Sequence, residues 1–429
     1  MRPISRRLML GGSAVLAVAA TLAACSNGSS SGSENGVYLL NFKPEAEEAL
    51  KTIASAYKDK TGVEVKIVTA ASGTYQQTLQ TEVAKSNPPT IFNINGPVGL
   101  VTWKDYALDL SGTEFVKALT DTSMALTDEN GVVYGSPLGI EGYGLIYNAA
   151  ILNKYFALEG AKATSVEDMQ ARKADLGIEG AFACTSLASG EDWRWQTHLA
   201  NYPVFYEFRD KGVTDAKEVD LTYSDNYKQI FDLYLNNSTV APSAAAAKTV
   251  TDSMADFALG KCAFVQNGNW AWSQISEVEG NTVAEGDIHF MPIYIGVNGE
   301  EKSGIALGTE NYLAVNSQVS ETAQKASIDF LTWLLTGEGA KMLVDNSVVS
   351  VSPYPAFSEL TPADPLGKET AQFLANKELY PINWVFQTFP SQEFKNQLGS
   401  HLAQYASGKE DWSAVKEYFV STWKSEKSA

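Results

Sequence analysis

Val37-Tyr-Leu-Leu-Asn-Phe42, followed at once by Lys43-Pro44-Glu45-Ala46-Glu47-Glu48, decides how this chain is read. The first six residues form a short apolar run, as expected of a strand buried on both faces. Pro44 then pre-sets φ for a first helical turn, where Glu45, Glu47 and Glu48 meet the positive end of the helix dipole. Ala46, Ala49, Leu50, Ile53 and Tyr57 recur at helical spacing, Lys58 and Lys60 stand near the far end, and Gly62 is a natural stop. Val63–Val68 alternates as a second strand. Tyr75, Leu79 and Val83 return to helical spacing, and Pro88-Pro89 punctuates before a third strand at Thr90–Ile94. Strand, helix, strand, helix, strand predicts a parallel sheet with helices on both faces, the doubly wound α/β class.

The alternation restarts after residue 150. Leu152–Phe156 reads as a helix, Ala181–Thr185 as a strand, Tyr227–Leu235 as a helix, and Thr251–Leu259 as a helix feeding a strand at Cys262–Val265. Glu321–Val344 is the longest helical region, with Ala326, Phe330, Trp333 and Leu334 on its apolar face. Val415, Tyr418, Phe419 and Trp423 share a face of a last helix, Trp412–Trp423. No internal repeat interrupts this order, and the length suits two α/β lobes.

Ahead of this body stand Arg2, Arg6 and Arg7, then an apolar stretch from Leu8 to Ala24, closing in Leu22-Ala23-Ala24-Cys25. A charged start, a short apolar segment and a small-residue end make residues 1–24 a secretory leader rather than a membrane span. Leu-Ala-Ala-Cys resembles the bacterial lipobox, which implies lipidation of Cys25 and a chain anchored on the extracellular face of the bacterial cytoplasmic membrane. Residues 25–36 then hold the lipidated cysteine and a Ser/Gly-rich tether with nothing to bury. Ser5-Arg6-Arg7 also resembles a twin-arginine signal, so the export route stays open.

The chain's formal charge of −18 becomes −21 once the three arginines of the leader are gone. So acidic a body repels phosphate backbones and anionic lipid headgroups, which argues against a nucleic-acid partner. The three histidines, His198, His289 and His401, are not spaced with each other or with cysteine as metal ligands would be. There is no G-x-S-x-G elbow and no phosphate-binding Gly-rich loop. No catalytic residue, metal or cofactor is therefore expected. With Cys25 lipidated, Cys184 and Cys262 remain; two buried thiols and a disulfide are both compatible with their strand-like settings.

Three stretches, in order, resemble the solute-binding proteins of bacterial ABC importers, in their maltose-binding-protein-like group. They are Tyr134-Gly-x-Pro137-x-x-x-Glu141-Gly-x-x-Leu145-Ile146-Tyr147-Asn148; Phe257-x-x-Gly260-Lys261-x-Ala263-Phe264-x-x-x-Gly268-x-Trp270-Ala271-Trp272; and Leu313-Ala-Val-Asn316 with Thr336-Gly-Glu-Gly-Ala340 after it. The resemblance covers essentially all of 37–429. It implies two α/β lobes joined by crossing segments, with 37–141 plus 311–355 forming one and 142–310 plus 356–429 the other. It further implies a monomer that traps a small neutral oligosaccharide between the lobes and delivers it to the importer's permease.

A sugar presents hydroxyls and an apolar face, so its site needs amides, carboxylates and flat rings together. Trp270, beside Asn267, matches the family's stacking tryptophan, and Glu141 its carboxylate on the crossing strand. Lys43 and Glu45 after the first strand, and Asn95-Gly96 after the third, match ligand positions, although Ile94-Asn95-Gly96 lacks the aromatic that maltose binders place there. Ser72 and Tyr75 lie at another strand-to-helix turn, where Tyr75 suits either a ligand ring or a first core contact. Asp192, Trp193 and Trp195 follow a strand, one of the two tryptophans being structural, and Trp384 and Phe386 lie where the family places a late aromatic contact. Two alternatives stand beside this reading. A glycoside-cleaving enzyme would need a carboxylate pair whose separation only a fold reveals, and a polyamine, metal-chelate or peptide receptor would use the same carboxylates and rings.

Overall fold

The computed structural model describes residues 36–428 apart from Ser72, Ala163 and Thr164. The leader, Cys25 and nearly all of the tether therefore lie outside the described residues, as does Ser72. Along the chain the strands are β1 (Val37–Asn41), β2 (Val65–Thr69), β3 (Ile91–Asn95), β4 (Leu126–Thr127), β5 (Val133–Pro137) and β6 (Glu141–Asn148). They continue with β7 (Phe264–Gly268), β8 (Ile288–Met291), β9 (Ser303–Gly308), β10 (Asn311–Val315) and β11 (Tyr380–Asn383).

The first sheet runs β2-β1-β3-β10-β5-β4. β1 pairs in parallel with β2 and β3, as the opening alternation requires, and all five of its residues are buried. The return strand β10 enters antiparallel between β3 and β5. The crossover helix α1 (Glu47–Thr61) buries Leu50, Ile53, Ala54 and Tyr57 and ends at Gly62, whose N–H reaches the Lys58 carbonyl at 2.7 Å. Pro44–Ala46 forms a short 3-10 turn ahead of it rather than the helix's own first turn. Helices α2 (Tyr75–Val83) and α3 (Gly96–Trp103) follow β2 and β3. Two apolar layers, one around Leu39, Ile53 and Phe330 and one around Leu40, Phe92 and Trp103, cover the two faces of this sheet.

The second sheet is built on β6. β7 lies antiparallel along one edge, β8 and β9 antiparallel along the other, and β11 extends it in parallel with β9. Helices again cover both faces, and Trp412, Val415, Phe419 and Trp423 of the last helix fill the larger core. The result is two doubly wound lobes joined by crossing segments. One joins β5 to β6, a second joins β9 to β10 through Thr309 and Glu310, and a third runs from the Pro355–Phe357 turn of the first lobe to the Pro365–Ala375 helix of the second. Among the described residues no helix is long and apolar enough to cross a membrane.

Two elements differ from the periodicity. Ala181–Thr185 is no ladder strand; only Phe182 bridges, to Ser238 on one side and Phe264 on the other. The segment is bonded on both sides but too briefly to form a strand. Glu321–Val344 divides into Glu321–Thr336 and Gly339–Asp345. The second helix turns back so tightly that a Cβ on Gly339 would stand 2.6 Å from the Leu334 Cα, which apolar spacing does not reveal. Cys184 and Cys262 are buried free thiols.

Candidate functional site

The carboxyl ends of β1 and β3 face the crossing segments and the 269–270 turn, and between them lies a narrow cleft, partly open to solvent. Crevices outside the strand ends are where open α/β sheets bind ligands. Asn41 shapes the loop after β1: its amide donates to the Lys43 carbonyl at 2.6 Å and accepts from the Lys43 N–H at 3.0 Å. That loop aims Lys43 across the cleft into direct contact with Glu141, and each side chain keeps only 15% of its exposure. Burial works against the Lys43 ammonium, but the charges of Glu141, Glu45 and Glu310 together outweigh it and raise its pKa. Burial likewise raises the Glu45 carboxyl, which Lys43 partly offsets.

Trp270 lines the cleft and caps the helix Ala271–Ser276. Its ring lies back over Gly268, where any Cβ would meet it at 2.0 Å, so glycine is required at that strand end. Asn269 fixes the turn by accepting from the Gly142 N–H at 2.9 Å and donating to the Ser350 hydroxyl at 3.1 Å. The Lys43 ammonium stands 5.6 Å from the centre of the Trp270 ring. From Trp270 an aromatic wall continues through Trp384, 6.5 Å away and perpendicular, to Phe386, a further 5.2 Å on. Trp193 and Tyr143 each lie 6.1 Å from Trp270.

At the centre of this wall is His198, stacked on Tyr143 at 4.1 Å and 7° and ringed by Trp193, Trp270, Trp384 and Phe386 at 5.0 to 5.9 Å. Burial, then the charges of Lys395 and Arg194, push its pKa well down, so the imidazole is neutral. His198 sits on a π-helical stretch, Arg194–Leu199, all of it buried, that runs into the helix Ala200–Lys211. Such stretches often mark functional sites.

The fold thus brings Lys43, Glu45, Glu141 and Trp270 together around the cavity, and Trp193, Trp384 and Phe386 into the wall beside it. Asn95 and Gly96 stand at the hinge, the Gly96 N–H donating to the Glu310 carbonyl at 3.0 Å. Other candidates point into their lobes. Tyr75 is buried, its hydroxyl accepting from the Asn93 N–H at 2.7 Å. Trp195 packs on Phe231 and Tyr234, and the fully buried Asn267 amide is spent on Met254 and Gly268. The Asp192 carboxylate lies against Gly399 of the helix Gln392–Ala406, and burial raises its pKa to about 6. Three further polar residues stand near the wall and the hinge: His198 within the ring cluster, Lys395, whose charge acts on His198, and Glu310, whose charge acts on Lys43; they carry no signal in the sequence, because none has a partner at a telling spacing.

The lobes are closed on each other. Gly73 and Gly190 meet backbone to backbone across the cleft mouth, a Cβ on Gly73 falling 3.0 Å from the Gly190 carbonyl oxygen. On the hinge side the Gln387 amide donates to the Thr309 carbonyl, and its stem lies 3.7 Å from where a Gly96 Cβ would stand.

Among solved structures, a chitin oligosaccharide binding protein is 17% identical with a TM-score of 0.71, the match covering 92% of this chain and 98% of that one. The solute-binding protein RafE in complex with raffinose is 16% identical, with a TM-score of 0.69 and coverage of 91% and 99%. Maltose-bound MalE3 of T. maritima is 15% identical, with a TM-score of 0.67 and coverage of 91% and 99%. These likenesses establish the two-lobed periplasmic-binding-protein-like fold. No curated protein matches the chain. Residues 52–370 match the family described as bacterial extracellular solute-binding protein, most of the chain, and the protein belongs to that family.

Proposed function

We propose that this protein is the lipid-anchored receptor of a carbohydrate ABC importer. It closes on a small neutral oligosaccharide between its lobes and hands it to the permease, acting as a monomer and without bond-making or bond-breaking. The observation that carries this reading is the Lys43–Glu141 pair beside the Trp270 ring in the cleft. A flat indole offers a platform for the apolar face of a sugar, while the ammonium and carboxylate donate to and accept from its hydroxyls. Because Lys43 already balances Glu141, an uncharged guest fits this pair better than a polyamine does. The names of three structural neighbours, which cite chitin oligosaccharide, raffinose and maltose, support a sugar ligand. The Leu22-Ala-Ala-Cys25 sequence supports the anchor. The lobes are proposed to comprise 37–141 with 311–355, and 142–310 with 356–429.

The test is calorimetry on the mature chain, begun at Ser26, against α-galactosides, α-glucosides, β-xylosides and fructosides. One class should bind at a single site. Overnight incubation with raffinose, maltotriose and xylotriose should release no monosaccharide; its release would favour a glycoside-cleaving enzyme instead.

A further inference from the structure

Lys395 lies on the helix Gln392–Ala406, among Phe394, Leu398 and Leu402 that fill the core, yet it ends in a charge. The residue is 3% exposed; its Nζ makes no hydrogen bond or ion pair with any described residue, and burial lowers its pKa while the charge of Glu310 opposes the fall. The ammonium stands 5.7 Å from the centre of the Phe386 ring, at the end of the aromatic wall away from Lys43. Two more polar groups share this corner. The buried Trp384 Nε1–H has no acceptor among the described residues, and the His198 ring packs between Trp384 and Phe386. Buried polar groups are kept without partners at a cost, which a ligand can relieve.

Facing them from the hinge is Glu310, between β9 and β10. Burial raises the pKa of its carboxyl, and Lys395 is the first of the charges that oppose the rise. The two groups feel each other across the closed cleft but do not reach ion-pair distance. A sugar hydroxyl both donates and accepts, and so fits between a carboxylate and an ammonium held apart in this way.

We propose that Glu310, Lys395 and His198 form a second polar subsite at the Phe386 end of the wall, where one sugar hydroxyl donates to the Glu310 carboxylate and accepts from the Lys395 ammonium. His198, held neutral, supplies a further donor or acceptor to the same sugar unit. Lys395 and Glu310 thereby select among sugars by the position of that hydroxyl. The subsite rests on the sugar-receptor reading.

The test uses whichever of raffinose, maltotriose, xylotriose and chitotriose binds the wild-type mature chain most tightly, titrated into Lys395→Met and Glu310→Gln. Each variant should bind on the order of tenfold or more weakly, as for loss of a charge-assisted hydrogen bond. The melting temperature of unliganded Lys395→Met should not fall, since a buried charge is replaced by an apolar chain of similar shape. Monodeoxy analogues separate contact from structure. One analogue should bind wild type about as weakly as Lys395→Met binds the parent, and Lys395→Met should bind that analogue as well as the parent. Affinity unchanged in Lys395→Met, or no analogue with that coupling, overturns the subsite while leaving the receptor reading intact. A wild type that binds none of the four sugars overturns both.

Discussion

Replacing Trp270 by alanine tests the ligand platform directly. A tryptophan buries about 150–250 Å² in all when enclosed. Trp270 already rests on Gly268 and touches Trp193, Tyr143 and Trp384, which leaves one face for a guest, roughly 100 Å². At about 25 cal/mol per Å², covering that face contributes about 2.5 kcal/mol. The unliganded protein, however, already has the Lys43 ammonium 5.6 Å above the ring. That contact contributes about 0.5 kcal/mol, which a sugar must displace and which the variant never had. The net expectation for Trp270→Ala is a loss of about 2 kcal/mol, close to 30-fold in affinity. Isothermal titration on wild type and variant, with a thermal melt of each unliganded protein, measures it. Affinity within threefold of wild type, with both proteins folded, would refute the assignment of Trp270 to the ligand face.

The core placement of Tyr75 predicts that Tyr75→Phe, which orphans the buried Asn93 N–H, loses about 1–3 kcal/mol of stability by denaturant titration without changing sugar affinity; unaltered stability would contradict it. Asp192 holds its proton to about pH 6 when folded against 3.8 ordinarily, so its contribution to stability is complete below about pH 4 and is lost as the pH rises through 6. Asp192→Asn should therefore be more stable than wild type at pH 7.5, on the order of 1–3 kcal/mol, with the gap closing at pH 4; a gap indifferent to pH would remove the buried carboxylate from the account. Gly73→Ala places a methyl 3.0 Å from the Gly190 oxygen in the closed form only, whereas the strain of its positive φ is the same open or closed. Closure should cost roughly 1 kcal/mol more, weakening sugar binding about fivefold and enlarging the radius of gyration in small-angle scattering. No change in either would mean the lobes do not meet there.

Much of the fold is legible in local chemistry alone. The burial of Leu50, Ile53 and Tyr57 and the stop at Gly62 follow from helical spacing and one glycine, and the β1–α1–β2–α2–β3 order from the rhythm of apolar runs. What escapes such a reading depends on tertiary contacts. The break before Gly339 comes from a close approach to Leu334, and the π-helical stretch through His198 has no signature in apolar periodicity. The candidate site divides the same way. Lys43 and Trp270 stand out because each follows a strand end, and Glu141 because it opens the crossing strand within a recognisable stretch. Tyr75 and the Trp193–Trp195 pair are ambiguous in the sequence, since which aromatic faces inward depends on register and on distant neighbours such as Phe231 and Tyr234. Glu310 and Lys395 are far apart in the chain, and only the tertiary fold brings their charges within reach of each other.

Titrating the mature chain with raffinose, maltotriose, xylotriose and chitotriose at low and at high salt reaches the central claim most directly. At least one sugar should bind with one-to-one stoichiometry, and its affinity should hardly move with ionic strength, because the guest carries no charge. Silence from every sugar, alongside a polyamine whose binding falls steeply with salt, would contradict the account.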